Sequence, residues 1–201
     1  MKKTLSPAAD RVFLEPDILR PLSWEELFRN PEQVILDLGA GDGGFTLAYA
    51  RQRPAAGVLA VERLLGRARK IARRAARPGE ETPNVRVLRL ESAYVLERLC
   101  PPASVDEIHL LFPDPWPKRR HHERRTLQLP FLAAAARVLK PGGLFRFVTD
   151  DPPYAEHGRE VCAAAPGYAP GASDWDFPQT DFEAAFRAEG KPIHTVLLRK
   201  A

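Results

Sequence analysis

A chain of 201 residues, 44% hydrophobic and 28% charged, has the balance of a soluble globular protein able to bury a substantial core. Thirty Lys and Arg against 26 Asp and Glu leave a formal charge of only +4, so bulk charge alone does not mark a nucleic-acid binder. Cys100 and Cys162 lack metal-ligand spacing and form no disulfide framework, no run of about 18 apolar residues could span a membrane, and Pro7, Asp10 and Arg11 interrupt any signal core after Met1-Lys2-Lys3; the expectation is a cytoplasmic protein with no metal site.

In chain order, residues 1–22 show no period and read as an N-terminal arm ahead of a single domain over 23–201. Ser23-Trp-Glu-Glu26 is a capping box that opens a short helix through about Phe28. Val34–Leu38 reads as a first buried strand, and Gly39-Ala-Gly-Asp-Gly-Gly44 turns the chain into a helix carrying Phe45, Leu47 and Tyr49. Gly57–Glu62 is a second strand, followed by a helix from about Leu64 to Arg77 that Pro78-Gly79 ends. Val85–Leu90 is a third strand and Ala93–Leu99 a helix; Val105–Phe112 is a fourth strand. Leu127–Leu139 is helical, Lys140-Pro-Gly-Gly143 is a turn, and Leu144–Val148 is a fifth strand. Tyr154–Cys162 and Phe182–Glu189 read as helices and Ile193–Leu198 as a last strand, with 165–178 unassigned. This alternation predicts an α/β fold, a mainly parallel sheet with helices on both faces.

Three features carry chemistry. The glycine turn after the first strand satisfies G-x-G-x-x-G through Gly39, Gly41 and Gly44, and Glu62 stands at the end of the next strand, where an acid binds ribose hydroxyls. Asp37 and Asp42 are unwelcoming to a pyrophosphate and suit a cationic ligand such as S-adenosylmethionine, with Glu91 and Ser92 placed to approach an adenine. The second feature is Phe112-Pro-Asp-Pro-Trp-Pro-Lys-Arg-Arg-His-His-Glu-Arg-Arg125. Prolines 113, 115 and 117 forbid continued pairing after the fourth strand, leaving Asp114 and Trp116 in a stiffened loop at a strand end, where open α/β sheets place ligands. Residues 118–125 then hold five Lys and Arg against one acid. The third is the helix after Glu62, where Arg63, Arg67, Lys70, Arg74 and Arg77 fall on one stripe at spacings of three and four. Together the two basic surfaces suggest a polyanionic substrate. Asp151-Pro-Pro-Tyr154 matches the string of adenine amino-group methyltransferases, but it follows the fifth strand rather than the fourth and is set aside.

Leu36-Asp-Leu-Gly-Ala-Gly-Asp-Gly43 resembles the first motif of class I methyltransferases. Over roughly residues 24–199 the chain resembles the bacterial tRNA (guanine-N7)-methyltransferases. Phe112–His122 is close to that family's signature, Thr149-Asp150 with Tyr154–His157 is similar to its second landmark, and Thr180-Asp-Phe-Glu183 to its C-terminal T-K-F-E element. The resemblance implies a Rossmann-like class I fold with an antiparallel C-terminal strand, S-adenosylmethionine as cofactor and tRNA as partner, with no membrane and no obligatory protein subunit, as monomer or homodimer. It implies that Asp37, Gly39, Gly41, Glu62, Glu91, Ser92 and Asp114 line the cofactor site. Asp114 is also implied as catalytic, with Lys118, Asp150, Thr180, Asp181, Phe182 and Glu183 contacting the substrate. Ser92, Asp151 and Asp181 depart from the family pattern. Asp181 is expected to face away from RNA and Phe182 to enter the core. The alternatives are a methyltransferase acting on another RNA or a small molecule, a non-catalytic RNA-binding protein, and a nucleotide-binding oxidoreductase.

Overall fold

The computed structural model describes residues 5–15 and 17–201, so the Met1-Lys2-Lys3 reading lies outside the described residues. The chain divides into two compact units, Met1–Cys100 and Pro101–Ala201.

In the first unit, four parallel strands lie in the order β1-β4-β3-β2: β1 (Phe13–Leu14), β2 (Gln33–Leu38), β3 (Ala56–Val61) and β4 (Val85–Leu88). Strands β2 and β3 are almost wholly buried, as their largely apolar runs predict, with Asp37 the one buried charge in β2. Helix α2 (Trp24–Phe28) starts at Ser23, whose hydroxyl accepts from the Glu26 N–H at 3.3 Å, and it sets Phe28 over β3. Gly57 makes room there, since a Cβ at that position would lie 2.4 Å from the Phe28 ring. Helix α3 (Gly44–Gln52) packs on β3 and α4 (Leu65–Ala75) on β4; α4 buries Ala68, Ile71, Ala72 and Ala75. The Asn84 amide donates to the carbonyls of Ala50, Arg53 and Ala56 at 2.9–3.0 Å, pinning the α3–β3 turn.

Two local expectations need correction in this unit. Residues 7–14 are not irregular. Ser6 caps a helix, α1 (Pro7–Val12), which packs on α4, and Phe13–Leu14 adds a parallel edge strand to β4. Six residues are too short to show a period, so only the Ser-Pro start could have announced this helix. The helix expected over 93–99 begins one residue earlier as α5 (Ser92–Tyr94) and continues as a π-helical turn over Val95–Leu99, closed by the Cys100 N–H on the Val95 carbonyl at 2.9 Å.

The second unit holds β5 (Val105–Leu111) and β6 (Leu139–Thr149) in parallel, then β8 (His194–Lys200) antiparallel to β6, and β7 (Tyr168–Pro170) antiparallel to β8. Helices α6 (Leu129–Val138) and α7 (Pro152–Ala164) pack on β6, and α8 (Asp181–Ala188) precedes β8. The predicted turn at 140–143 is a bulge inside the longer β6: Val105 pairs with Leu139 and Glu107 with Leu144, and the Lys140 ammonium holds the Asp106 carboxylate at 2.8 Å across it. The unassigned segment supplies β7, whose Tyr168 hydroxyl donates to the Leu132 carbonyl at 3.1 Å. Its Phe177 ring receives the Arg146 guanidinium at 4.3 Å.

Candidate functional site

In the first unit, the glycine turn is held from several sides. Gly39, Gly41 and Gly43 have φ of 80°, 57° and 81°, a region glycine enters without a Cβ penalty. The Gly39 and Ala40 N–H groups donate to the Val61 carbonyl at 2.8 and 3.0 Å. Glu62, buried at the end of β3, accepts from the Gly41 N–H at 3.0 Å on Oε2 and from the Leu64 N–H at 2.7 Å on Oε1. It is therefore a brace for the turn as well as an acceptor facing the strand end. A Cβ on Gly43 would lie 2.8 Å from Ile71 of α4, whereas a Cβ on Gly39 would meet nothing within 4 Å. The turn is thus pressed onto α4 and open over Gly39.

The acids of this turn are already engaged. Asp37 is buried and accepts from the Thr46 hydroxyl of α3. The Asp42 carboxylate accepts from the Lys70 ammonium at 2.6 Å, with Arg67 at 3.9 Å, and its carbonyl accepts from Arg74 at 2.5 Å. The Lys70 hydrogen bond holds its carboxyl below the usual range. Asp42 is thus paired with cations and is not the free charge toward a pyrophosphate that its place in the turn suggests, whereas the Asp37 charge meets a neutral hydroxyl. The Asp42 pairing also removes Lys70 and Arg74 from the free cationic stripe, and Arg77 pairs with Glu80 at 3.4 Å. Glu91, exposed just after β4, and the half-buried Ser92 that opens α5 complete the first unit's candidate residues.

In the second unit, the loop after β5 carries the exposed Asp114, whose Oδ1 accepts from the Trp116 N–H at 3.1 Å. Phe112 and Trp116 have φ of 48° and 46°, which costs a bulky residue about 1–3 kcal/mol each. Lys118, Arg119, Arg120 and Arg124 are exposed around a 3₁₀ turn over Arg119–Arg124. The Arg124 guanidinium lies 5.1 Å over the Trp116 ring, and His121 meets that ring edge-on at 5.8 Å. Arg125 differs from its neighbours: it is only 3% exposed, so it is not the surface cation that its place in the run predicts.

At the end of β6, Thr149 is buried and its hydroxyl accepts from the Asp151 N–H at 3.2 Å. Asp150 is half-buried, 4.0 Å from the Lys191 ammonium. Lys191 also meets Glu189 at 2.9 Å, a hydrogen bond that raises its pKa, and lies 4.3 Å over the Phe186 ring. The second half of α8 meets the loop after β5 through Phe112, whose ring stands 5.6 Å from Phe186. Thr180 caps α8, accepting from the Glu183 N–H at 2.8 Å. Glu183 is 5% exposed and accepts from Arg187 at 2.7 and 2.9 Å. Asp181 is exposed. Phe182 is not in the core: it is 46% exposed and stacks on Phe186 at 6.1 Å. Its pattern as the one apolar residue between two acids reads as inward, but α8 buries Glu183 instead because Arg187 satisfies that carboxylate. The sequence reading misses Lys191 and takes Arg125 for a phosphate-facing cation like its neighbours; nothing local to either signals its partners.

Comparison with known proteins bears on both units. A family model described as "Putative methyltransferase" matches residues 31–196. A tRNA (guanine-N(7)-)-methyltransferase of Streptomyces avermitilis is 36% identical over 89% of this chain and 63% of its own length. Another of that name, from Aliivibrio fischeri, is 36% identical over 89% of this chain and 77% of its own. The chain therefore spans somewhat under two thirds of the first relative. Among solved structures, the 16S rRNA methyltransferase KamB is similar in fold, with a TM-score of 0.61 at 22% identity over 88% of this chain and 91% of that one. The α/β fold with a mainly parallel sheet and antiparallel C-terminal strands is that of class I methyltransferases.

Proposed function

Because the chain belongs to the tRNA (guanine-N7)-methyltransferase family, we propose that it transfers a methyl group from S-adenosylmethionine to nitrogen 7 of a guanine in the variable loop of tRNA. The observation that carries the reading is Asp114, an exposed carboxylate on a strained loop at the end of β5, set among exposed Lys118, Arg119, Arg120 and Arg124.

The residues of the first unit fit the cofactor. The turn is open over Gly39, and Glu62 keeps acceptor lone pairs beyond the two it gives to backbone N–H groups, as a ribose diol needs. Glu62 would hold the ribose, Gly39 and Gly41 would let the backbone approach, and Glu91 and Ser92 would meet the adenine. When bound, S-adenosylmethionine supplies an electrophilic methyl group. Asp37 fastens the turn to α3 through Thr46.

Nitrogen 7 of guanine presents an in-plane lone pair and no proton, so no general base is required. What the chain must do is align the base and stabilise the positive charge that develops on it. The Asp114 carboxylate suits the second task and can also accept from guanine N–H groups. Lys118 and the neighbouring arginines would meet phosphates, a salt-sensitive contribution to affinity. Asp150 and Thr180 would offer polar atoms to the base from the same unit, with Asp181 and Phe182 at the exposed start of α8, while Glu183 would reach it only by giving up part of its pairing with Arg187.

The test is incubation of the purified protein with unmodified tRNA and methyl-labelled S-adenosylmethionine, followed by nuclease digestion and mass spectrometry. Label recovered as 7-methylguanosine from the variable loop, and abolished in Asp114→Ala, is the expected result. Label in another RNA but not in tRNA would overturn the substrate and leave a methyltransferase of different target.

A further inference from the structure

We propose that Arg125 is a positioning residue, a buried bracket that fastens the Phe112–Trp116 loop to the start of α7 and so fixes where the Asp114 carboxylate stands; this rests on the role given to Asp114 above. A guanidinium does not lose its charge in a protein, and taking it out of water costs several kcal/mol unless its donors are satisfied. Arg125 spends them on three pieces of chain. Its Nε donates to the Pro115 carbonyl at 2.9 Å, in the middle of the loop. Its Nη1 reaches the Pro153 carbonyl at 3.5 Å, in the first turn of α7. Its Nη2 meets His122 Nε2 at 3.2 Å. An arginine only donates, so that imidazole nitrogen is the acceptor and the proton of a neutral His122 sits on Nδ1.

The fourth side is aromatic. The guanidinium carbon lies 4.7 Å over the ring of Tyr154, a fully buried side chain whose hydroxyl accepts from the Leu127 N–H at 3.0 Å. Tyr154 belongs to α7, so the bracket has a fixed base there.

The loop needs such a fastening for a reason written in its sequence. Pro113, Pro115 and Pro117 have no N–H, so this loop is short of backbone donors and is gripped through its carbonyls. Arg125 takes the carbonyl of Pro115, and His122, itself held by Arg125, hydrogen-bonds the backbone of Pro117. Positive φ at both Phe112 and Trp116 persists only where the surroundings over-determine it. A lysine could reach one of these acceptors but not present the planar fork that joins them.

The test compares Arg125→Lys and Arg125→Gln with the parent. Amide exchange should quicken at Asp114, Trp116 and Lys118 while the interior of α7, Ala155–Ala164, keeps its protection. Turnover on tRNA should fall roughly ten- to a hundredfold, the effect of displacing a reacting group by about 1 Å. KM for tRNA and the salt dependence of tRNA binding should stay near the parent's. A slope of log K against log salt lowered by roughly 0.7–0.9 would make Arg125 a phosphate ligand and overturn the bracket. So would loop exchange and turnover equal to the parent's in a folded variant, and so would exchange quickened throughout the unit. If Arg125→Gln does not fold, Arg125→Lys decides. If the parent itself does not methylate tRNA, the functional reading fails on that result, while loop exchange still decides the bracket.

Discussion

Replacing Glu62 with Gln separates two jobs that one carboxylate holds. Its oxygens accept from the Gly41 N–H at 3.0 Å and the Leu64 N–H at 2.7 Å, so each oxygen faces a backbone donor before any ligand arrives. Glutamine keeps one carbonyl oxygen, and its amide nitrogen must then face the other N–H, donor against donor. A hydrogen bond to a charged group is worth about 1.5–3 kcal/mol. For a chain of this length, where 1 kcal/mol moves the midpoint by about 2–4 °C, the ligand-free protein should melt about 3–12 °C below the parent. A ribose diol deprived of a charged acceptor should bind roughly ten- to a hundredfold more weakly by the same per-bond energy. Differential scanning fluorimetry without ligand and calorimetry with S-adenosylhomocysteine read the two jobs apart. An unchanged melting temperature would refute the brace, and an unchanged affinity would refute the ribose interaction.

Neutralising Arg119, Arg120 and Arg124 together should weaken tRNA binding and lower its salt slope by roughly 0.7–0.9 for each phosphate that is no longer neutralised; an unchanged slope would leave these exposed arginines as solvated surface. His122 has its pKa lowered by burial first and then by the charges of Arg125 and His157. The fold therefore favours the neutral ring, and the stability this contributes is present above the ordinary imidazole pKa of about 6.5 and disappears as pH falls through the lower folded value. His122→Gln should accordingly flatten the fall in melting temperature between about pH 7 and pH 5, and an identical fall in the variant would show that this imidazole is not what titrates. Glu183→Gln should lower turnover on tRNA with S-adenosylhomocysteine affinity unchanged, and parental turnover would confine Glu183 to its pair with Arg187 at 2.7 Å.

What the sequence made legible follows the range of the interactions involved. Strands β2 and β3, the Ser23 cap of α2 and the glycine turn are specified by neighbours in sequence, and each stands where its local pattern places it. The loop after β5 was legible as a loop because prolines act on their own residue and the one before. The departures come from interactions that span the chain. Arg125 looks like one more surface cation in a run of them until α7 arrives with Pro153 and Tyr154. Phe182 is exposed because Arg187 lets Glu183 take the inward place. The cations of α4 bond to Asp42, 28 and 32 residues earlier for Lys70 and Arg74, and no helical periodicity reports that.

The Asp-Pro-Pro-Tyr string shows how the same residues can carry structure where another context would give them chemistry. Asp151 accepts from the Tyr154 N–H at 2.7 Å and is the N-cap of α7, and its own N–H is taken by the Thr149 hydroxyl. Pro152 and Pro153 fill the first helical positions, where a missing N–H costs nothing. Tyr154 is wholly buried, and burial pushes its hydroxyl up to about 12. Its ring lies under Arg125 and its oxygen takes the Leu127 N–H, so none of its polar or aromatic surface is offered to a substrate amine. The acid at 151 is thus a helix start. The string builds the start of α7, to which Arg125 joins the loop that carries Asp114.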